Sequence, residues 1–392
     1  MRRVICFALA LLLMLPCCAV TAAQDGGQKS DAAVADYQSK SVLLMEPNTR
    51  RVLAEKNADN EQPIASVTKV MTLLLIMEAI DRGEAKLEDE VTVSERAQSM
   101  GGSQVFLDAN FAYSVEELIK SIVISSANDA CVAMSEYLGG SEEAFVAQMN
   151  ERAKQLGMNN TAFANCTGLP AEGAYSTARD VAVMSAELIQ HPLFFQYSTI
   201  WMDELPHDKD GRVTGLNNTN KLIRWYAGAD GIKTGSTQEA GSCLSATASR
   251  NDTRFIAVVL GAPNSDTRFK EAQQLLDYGF NGFTTVDPLQ GYEALSLPVA
   301  GGRAAAVAVR LKYAARQLVK KGETPQYEVT LEYDEVAAAP IQEGQTLGYL
   351  LITENGTPVD RVPLVAAEAV PAASVLDIVR RIFAQWVARP AA

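Results

Sequence analysis

Ser66 and Lys69 stand three residues apart where "PIASVTKVMT" runs into the apolar stretch "LLLIMEAI". Residues i and i+3 share one helix face, so the lysine amine can reach the serine hydroxyl. A serine at a helix N-terminus also has backbone N–H groups and a positive dipole end beside it. A helix-capping serine followed by a solvent-facing lysine would read the same way, and roughly one Ser-x-x-Lys match arises by chance in a chain of this length. Two further patterns give the pair company. Ser126-Ala127-Asn128 lies in "ISSANDA", between the helix-like runs "SVEELIKSIVISS" and "DACVAMSEYL", on an elbow able to project polar groups into a cleft. Ser249-Arg250-Asn251 fits the same pattern but falls at a predicted hairpin turn, so Ser126 and Asn128 are the candidates. Lys233-Thr234-Gly235 occurs once, on a predicted strand. Lysine and threonine there can hold a carboxylate, and Gly235 lets backbone approach closely. Together these residues suit nucleophilic catalysis with lysine as the base.

The elements that must position them are legible in outline. "SKSVLLMEPNTRRVLAEKN" reads as two strands around a Pro-Asn turn. Helical signals run from Ser66 to about Gly157, with breaks at Gly101–Gly102 and Gly139–Gly140. Another helix, "STARDVAVMSAELIQ", starts at a serine/threonine cap. "ADGIKTGST" begins a strand, "SCLSATASRNDTRFIAVVLGAP" forms a hairpin turning at Arg250–Asn251–Asp252, and "SDTRFKEAQQLLDYGFNGF" returns to helix. From about Thr285 short alternating runs such as "YEVTLEY" and "TLGYLLIT" indicate a small β-rich domain.

Composition bounds the function. The 392 residues are 48% hydrophobic and 21% charged, room for more than one globular domain. A net charge of −13 argues against a nucleic-acid partner, which needs a basic surface. Cys131, Cys166 and Cys243 are too few and too scattered for a disulfide framework, and no Cys/His cluster suggests a metal. The two histidines, His191 before Pro192 and His207 in a polar loop, carry no mark of a catalytic triad. No metal or organic cofactor is needed.

The ends point to export. Residues 1–23 combine Arg2 and Arg3, an apolar core Val4–Leu15 and the small residues Val20–Ala23, the layout of a signal peptide cut near Ala22 or Ala23. Pro16 before Cys17 disfavours a lipoprotein site, and the apolar run is shorter than the ~18 residues of an uncleaved anchor. Residues 24–36 form a flexible lead-in. At the far end, residues 372–392 place Val375, Val379, Ile382 and Trp386 at helical spacing, with Arg380, Arg381 and Arg389 mostly on the other face. Such an amphipathic helix suits a membrane interface, or packs on the body of its own protein.

With the motifs in the order Ser66-x-x-Lys69, Ser126-x-Asn128 and Lys233-Thr234-Gly235, the chain resembles the low-molecular-mass penicillin-binding proteins, the serine-type D-alanyl-D-alanine carboxypeptidases. The blocks "NCTGLP", "YSTARDVA" and "GIKTGSTQEAG" add to the resemblance. It implies an α/β (α+β) transpeptidase-like domain over residues 37–284, an antiparallel sheet flanked by helices with a helical subdomain. A small β-rich domain follows over residues 285–371. It implies a peptidoglycan stem peptide ending in D-Ala-D-Ala as substrate and β-lactams as covalent inhibitors. The protein would act as a peripheral one on the outer face of the cytoplasmic membrane, or in the cell wall or periplasm. Ser66 would be the nucleophile and Lys69 the base, with Ser126 relaying a proton and Asn128 positioning Lys69 or the substrate amide. Lys233, Thr234 and Gly235 would bind the terminal carboxylate, Ser236 would share the oxyanion hole with Ser66, and Arg268 is a further carboxylate contact or a surface ion-pair residue. A class A β-lactamase would want Glu-x-x-Leu-Asn where this chain has "NCTGLPAEGAYS". A non-catalytic peptidoglycan-binding protein would not need the lysines, and an endopeptidase would use the same chemistry.

Overall fold

The computed structural model describes residues 34–289, 296–333, 336–377 and 379. Residues 1–23, expected to be a signal peptide, most of the expected lead-in and nearly all of the segment expected to form a terminal amphipathic helix lie outside these residues.

The chain begins with a hairpin, β1 (Ser41–Glu46) and β2 (Arg51–Lys56), and reaches α1 (Lys69–Asp81) through a single 3-10 turn, Ala65–Thr68. The short strands β3 (Glu90–Thr92) and β4 (Ala112–Ser114) pair across the one-turn helix α2 (Glu95–Gln98). Three helices follow: α3 (Val115–Ser125), α4 (Asn128–Gly139) and α5 (Glu142–Gln155). Beyond a long loop come α6 (Ala178–Leu188), α7 (Pro192–Ser198), the ribbon β5 (Met202–Pro206) with β6 (Val213–Asn217), and α8 (Leu222–Trp225). Then β7 (Ala229–Thr237), β8 (Gly241–Arg250) and β9 (Thr253–Ala262) lead to α9 (Ser265–Gly282).

The main sheet is antiparallel in the order β2-β1-β9-β8-β7, so β7 is an edge strand. Its side chains alternate between two cores, as strand geometry requires. Leu43 and Met45 of β1 with Ile256 and Val258 of β9 face α1 and α6. Val42, Leu44, Phe255 and Val259 face Phe269, Leu275 and Leu276 of α9. This is the antiparallel sheet flanked by helices that the family resemblance implied. α1 is apolar nearly all round and correspondingly buried from Lys69 to Met77. A reciprocal capping box of Ser114 and Glu117 starts α3. Thr177 accepts from the Asp180 N–H at 3.0 Å to start α6.

Two sequence expectations change. The stretch Ser66–Gly157 is not helix throughout, because β3, β4 and an irregular segment at 99–111 interrupt it. Ser66 lies in the 3-10 turn and does not cap α1, whose N-cap is Thr68 without a side-chain hydrogen bond.

The trailing region is β-rich, as expected. β10 (Phe283–Val286) pairs with β13 (Gln317–Lys320). Around them β11 (Ser296–Ala300), β12 (Ala306–Leu311), β14 (Tyr327–Tyr333), β15 (Ala337–Ala338), β16 (Thr346–Glu354) and β17 (Thr357–Ala366) build a sheet ordered β14-β16-β17-β12-β11-β15. Phe283 and Leu318 join the α9-side core and so couple the two regions.

Candidate active site

Lys69 is fully buried at the start of α1, and its Nζ meets three oxygens. Ser66 Oγ lies at 3.0 Å, Asn128 Oδ1 at 2.6 Å and the Thr167 carbonyl at 2.7 Å. The orientation of the Asn128 amide follows from its other end, where Nδ2 donates to the Gly101 carbonyl at 2.7 Å. Its Oδ1 therefore faces Lys69. Two of the three partners, an amide oxygen and a peptide carbonyl, can only accept. A neutral amine has two N–H donors and one lone pair. Once deprotonated, Lys69 satisfies Asn128 and Thr167 with its protons and turns its lone pair to the Ser66 hydroxyl.

Burial favours that neutral form. It pushes the Lys69 pKa below the ordinary lysine value, against the opposing influence of Cys131, Cys166 and Asp129. Lys233, also buried, is held well below the usual value by desolvation first and then by repulsion from Lys69 and Arg268. The two ammonium groups share a low-dielectric space, and each charge makes the other more costly.

The elbow carrying Ser126 is held in a left-handed conformation, φ 61° and ψ 32°, between α3 and α4. For a residue with a Cβ this is uncommon backbone, and here it joins the end of one helix to the residue that starts the next. The Asn128 N–H donates to the Ser103 carbonyl at 2.7 Å, so the irregular 99–111 segment grips the elbow.

β7 closes the other side. A Cβ at Gly235 would come within 2.9 Å of the Ser66 nitrogen, so only glycine lets the strand lie against the turn that carries Ser66. Thr234 Oγ1 donates to Thr219 Oγ1 at 2.7 Å, and Ser236 is exposed next to Gly235.

The residues so assembled match a known set of proteins. The family model for D-alanyl-D-alanine carboxypeptidase matches residues 28–264, and that for the C-terminal domain of penicillin-binding protein 5 matches residues 283–372. The chain belongs to the D-alanyl-D-alanine carboxypeptidase family. It is 39% identical to the D-alanyl-D-alanine carboxypeptidase DacF of Bacillus subtilis, over 93% of each chain. It is 35% identical to DacC of Escherichia coli, over 89% of each. Among solved structures, penicillin-binding protein 5 of Haemophilus influenzae superposes with a TM-score of 0.65 at 29% identity, covering 86% of this chain and 98% of that one.

Arg268 is not the surface ion-pair residue that was one of its two sequence readings. It is neither at the surface nor in an ion pair among the described residues. Its guanidinium donates to the carbonyls of Gly235 at 3.0 Å and Cys243 at 3.3 Å, and its Nε has no protein partner. It braces β7 at Gly235 with its charge buried. His207 lies in the loop after β5, as expected, and is buried there, bonded to Tyr113 Oη at 2.7 Å and Thr214 Oγ1 at 2.8 Å. His191 precedes the first residue of α7 and pairs with Asp81 at 2.6 Å. Neither histidine's bonds reach Ser66. Ser249 sits in β8, its N–H bonded to the Gly228 carbonyl.

Three contributors escaped the sequence reading. Thr167 acts through its carbonyl, which no side-chain pattern announces. The signal that could have found it is Gly168, at φ +81°, where a Cβ would collide with the Ala65 carbonyl. Thr219 is one polar residue in "LNNTN". Asp129 sits inside the "SSANDA" block itself, fully buried, accepting from the N–H groups of Val105, Leu107 and Ala130.

Proposed function

We propose that this protein removes the terminal D-alanine from peptidoglycan stem peptides through an acyl-enzyme on Ser66. The observation that carries the reading is the Lys69 amine, 3.0 Å from the Ser66 hydroxyl and fixed by two further acceptors.

The terminal carboxylate binds at Lys233 and Thr234, its negative charge favouring the charged form of Lys233. That charge in turn favours neutral Lys69. Lys69 takes the Ser66 proton as Oγ bonds to the penultimate D-alanine carbonyl carbon. The oxyanion is held by the backbone N–H groups of Ser66 and Ser236, each such donor contributing about 3 kcal/mol. Collapse breaks the C–N bond, and Ser126 gives its proton to the departing amine of D-alanine and takes up the one held by Lys69, which returns Lys69 to its neutral form. Water then attacks the ester, Lys69 accepts its proton, and Ser66 regains a hydrogen as the shortened peptide leaves. Arg268 keeps Gly235 in place and adds positive potential at Lys233. In the loop where a β-lactamase would carry its deacylating glutamate, Thr167 bonds to Lys69 and Glu172 is exposed.

A β-lactam carries an anionic group and a reactive carbonyl in the same relation, so it acylates Ser66. Export by the amino-terminal segment and attachment to the membrane surface by residues 372–392 complete the proposal. Val375, Leu376 and Val379 are 80%, 57% and 53% exposed, which leaves apolar surface at the start of that segment. The deciding experiment is intact-mass analysis and peptide mapping after mixing with benzylpenicillin, beside an assay of D-alanine release from a D-Ala-D-Ala peptide. A lasting adduct on Ser66 with D-alanine release is expected. Rapid loss of the antibiotic without an adduct would favour a β-lactamase.

A further inference from the structure

Two of the three tryptophans of the chain, Trp201 and Trp225, share one patch of surface. Trp225 ends α8 and is 64% exposed, while Trp201 stands just before β5 and is half-buried. The Arg224 guanidinium lies 5.2 Å from the centre of the Trp201 ring, and the Lys221 ammonium 5.6 Å from that of Trp225. Among the described residues neither Lys221 nor Arg224 forms a salt bridge. In a chain of net charge −13, two cationic heads thus stand beside two indole rings at the surface.

The patch is bonded to the catalytic cleft through residues 217–220. The Trp201 carbonyl accepts from the Asn218 N–H at 2.9 Å. Next in the chain, Thr219 Oγ1 accepts from Thr234 Oγ1 at 2.7 Å, and Asn220 Nδ2 donates to the Gly231 carbonyl at 2.8 Å. On the helical side the Asn217 N–H donates to Ser125 Oγ at 3.2 Å, beside Ser126. A loop tied to both walls fixes the two tryptophans relative to the carboxylate end of the cleft.

The patch is small for a protein partner, since a stable interface takes about 20–30 residues a side. Two indoles set among N–H donors suit a flat ligand with apolar ring faces and many oxygen acceptors. A pyranose ring turns C–H groups toward the negative face of an indole, while its hydroxyl and acetamido oxygens accept from lysine and arginine. The substrate read above is a side arm of a polymer of such sugars, and the carboxylates of that polymer complement Lys221 and Arg224 in charge.

We infer that Trp201 and Trp225, with Lys221 and Arg224, bind the glycan strand of peptidoglycan, an N-acetylhexosamine polymer. The inference rests on the carboxypeptidase reading above and adds a second contact with the same polymer. Holding the strand beside the cleft raises the effective concentration of stem-peptide ends at Ser66 without touching the chemistry.

The test uses purified protein and two readouts. Chitotetraose, an N-acetylglucosamine tetramer without peptide, is expected to change the tryptophan fluorescence saturably, and Trp225→Ala to weaken that binding about ten-fold. D-alanine release is then compared on Nα,Nε-diacetyl-L-lysyl-D-alanyl-D-alanine and on insoluble peptidoglycan rich in pentapeptide stems. Trp225→Ala, shown to be folded by thermal unfolding, keeps the wild-type kcat/KM on the free peptide and loses about ten-fold on the polymer, a modest share of what linked sites can give. Replacing Lys221 and Arg224 together by Gln gives a smaller polymer-specific loss, confined to low salt. No response to the tetramer, or wild-type turnover of the polymer by Trp225→Ala, overturns the inference and leaves the patch to a protein partner. An equal loss on peptide and polymer also overturns it, because the rings would then only brace the 217–220 loop. A response to the tetramer with D-alanine released from neither substrate upholds the glycan surface and overturns the carboxypeptidase reading.

Discussion

A Cβ placed on Gly235 would stand 2.9 Å from the backbone nitrogen of Ser66 and 2.8 Å from the carbonyl oxygen of Ile64. Both obstacles are backbone, so no rotamer change relieves them. The turn that carries Ser66 and the edge strand are thus in direct main-chain contact, and the amide of Ser66 and the edge of β7 form one wall of the cleft. In Gly235→Ala one of the two must retreat. A displacement near 1 Å costs about 100-fold in a reaction that depends on alignment. Acylation by benzylpenicillin, timed by mass spectrometry, should slow by about that factor while unfolding stays cooperative. Acylation at the wild-type rate would show that the wall can yield without consequence.

The buried lysines make a pH prediction with a definite sign. If Lys69 is the base, kcat/KM rises as its proton leaves, with a midpoint below the ordinary lysine pKa of 10.5. The same depression links to stability. The unfolded chain holds these protons up to about pH 10.5, and the folded chain releases them earlier, so the folded state is penalised most below the folded pKa and progressively less as pH approaches 10.5. Each unit of depression corresponds to about 1.4 kcal/mol. Replacing Lys233 by Met removes its share. Lys233→Met should therefore gain stability over wild type at pH 7, and the gain should shrink by pH 9.5, as read from urea midpoints. A gain that grows with pH would mean that Lys233 stays charged in the fold.

Thr219 offers a test of positioning. Its hydroxyl meets that of Thr234 at 2.7 Å, and its N–H donates to the Ile124 carbonyl at 3.2 Å, tying β7 to the end of α3. Thr219→Val keeps the shape and the N–H bond but frees the Thr234 hydroxyl to rotate. The expected result is a KM for a D-Ala-D-Ala peptide raised about ten-fold, the scale of one hydrogen bond to a charged group, with kcat nearly unchanged. A fall confined to kcat would place Thr219 in the chemistry rather than in holding the carboxylate.

What sequence made legible follows the physics of each signal. Ser66, Lys69, Asn128 and Lys233 carry their chemistry in their side chains and fall in short patterns, the first two one helix turn apart, so they could be named as candidates before the fold was known. The β1–β2 and β8–β9 hairpins were equally open to reading, from strand-like runs around turn residues. Thr167 contributes a carbonyl, which every residue possesses, and Thr219 gains its partner only when a loop 15 residues away folds beside β7. For Arg268 the sequence left a carboxylate contact and a surface ion pair equally open, because nothing local tells them apart. Its burial against the Gly235 carbonyl is a tertiary fact with no local signature. The β3–β4 interruption was hidden because its strands are three residues long, too short for a period to show.

Asp129 shows how such hidden parts bear on the site. Its carboxylate is wholly buried and takes the N–H groups of Val105 at 3.0 Å, Leu107 at 3.1 Å and Ala130 at 3.0 Å. The segment it clamps also presents the carbonyls of Gly101 and Ser103, which bond to the Asn128 side chain and N–H. Asp129 therefore holds what holds Asn128, and Asn128 orients Lys69. Asp129→Ala leaves the Val105 and Leu107 donors buried without their acceptor, a loss of about 1–3 kcal/mol each. Denaturant unfolding should report destabilisation on that order, with partial recovery in Asp129→Asn, which keeps one acceptor. Acylation by benzylpenicillin, normalised to folded protein, should fall as well and recover in the same order. If stability drops while folded Asp129→Ala acylates at the wild-type rate, the clamp serves the fold alone and Asn128 is oriented by other means.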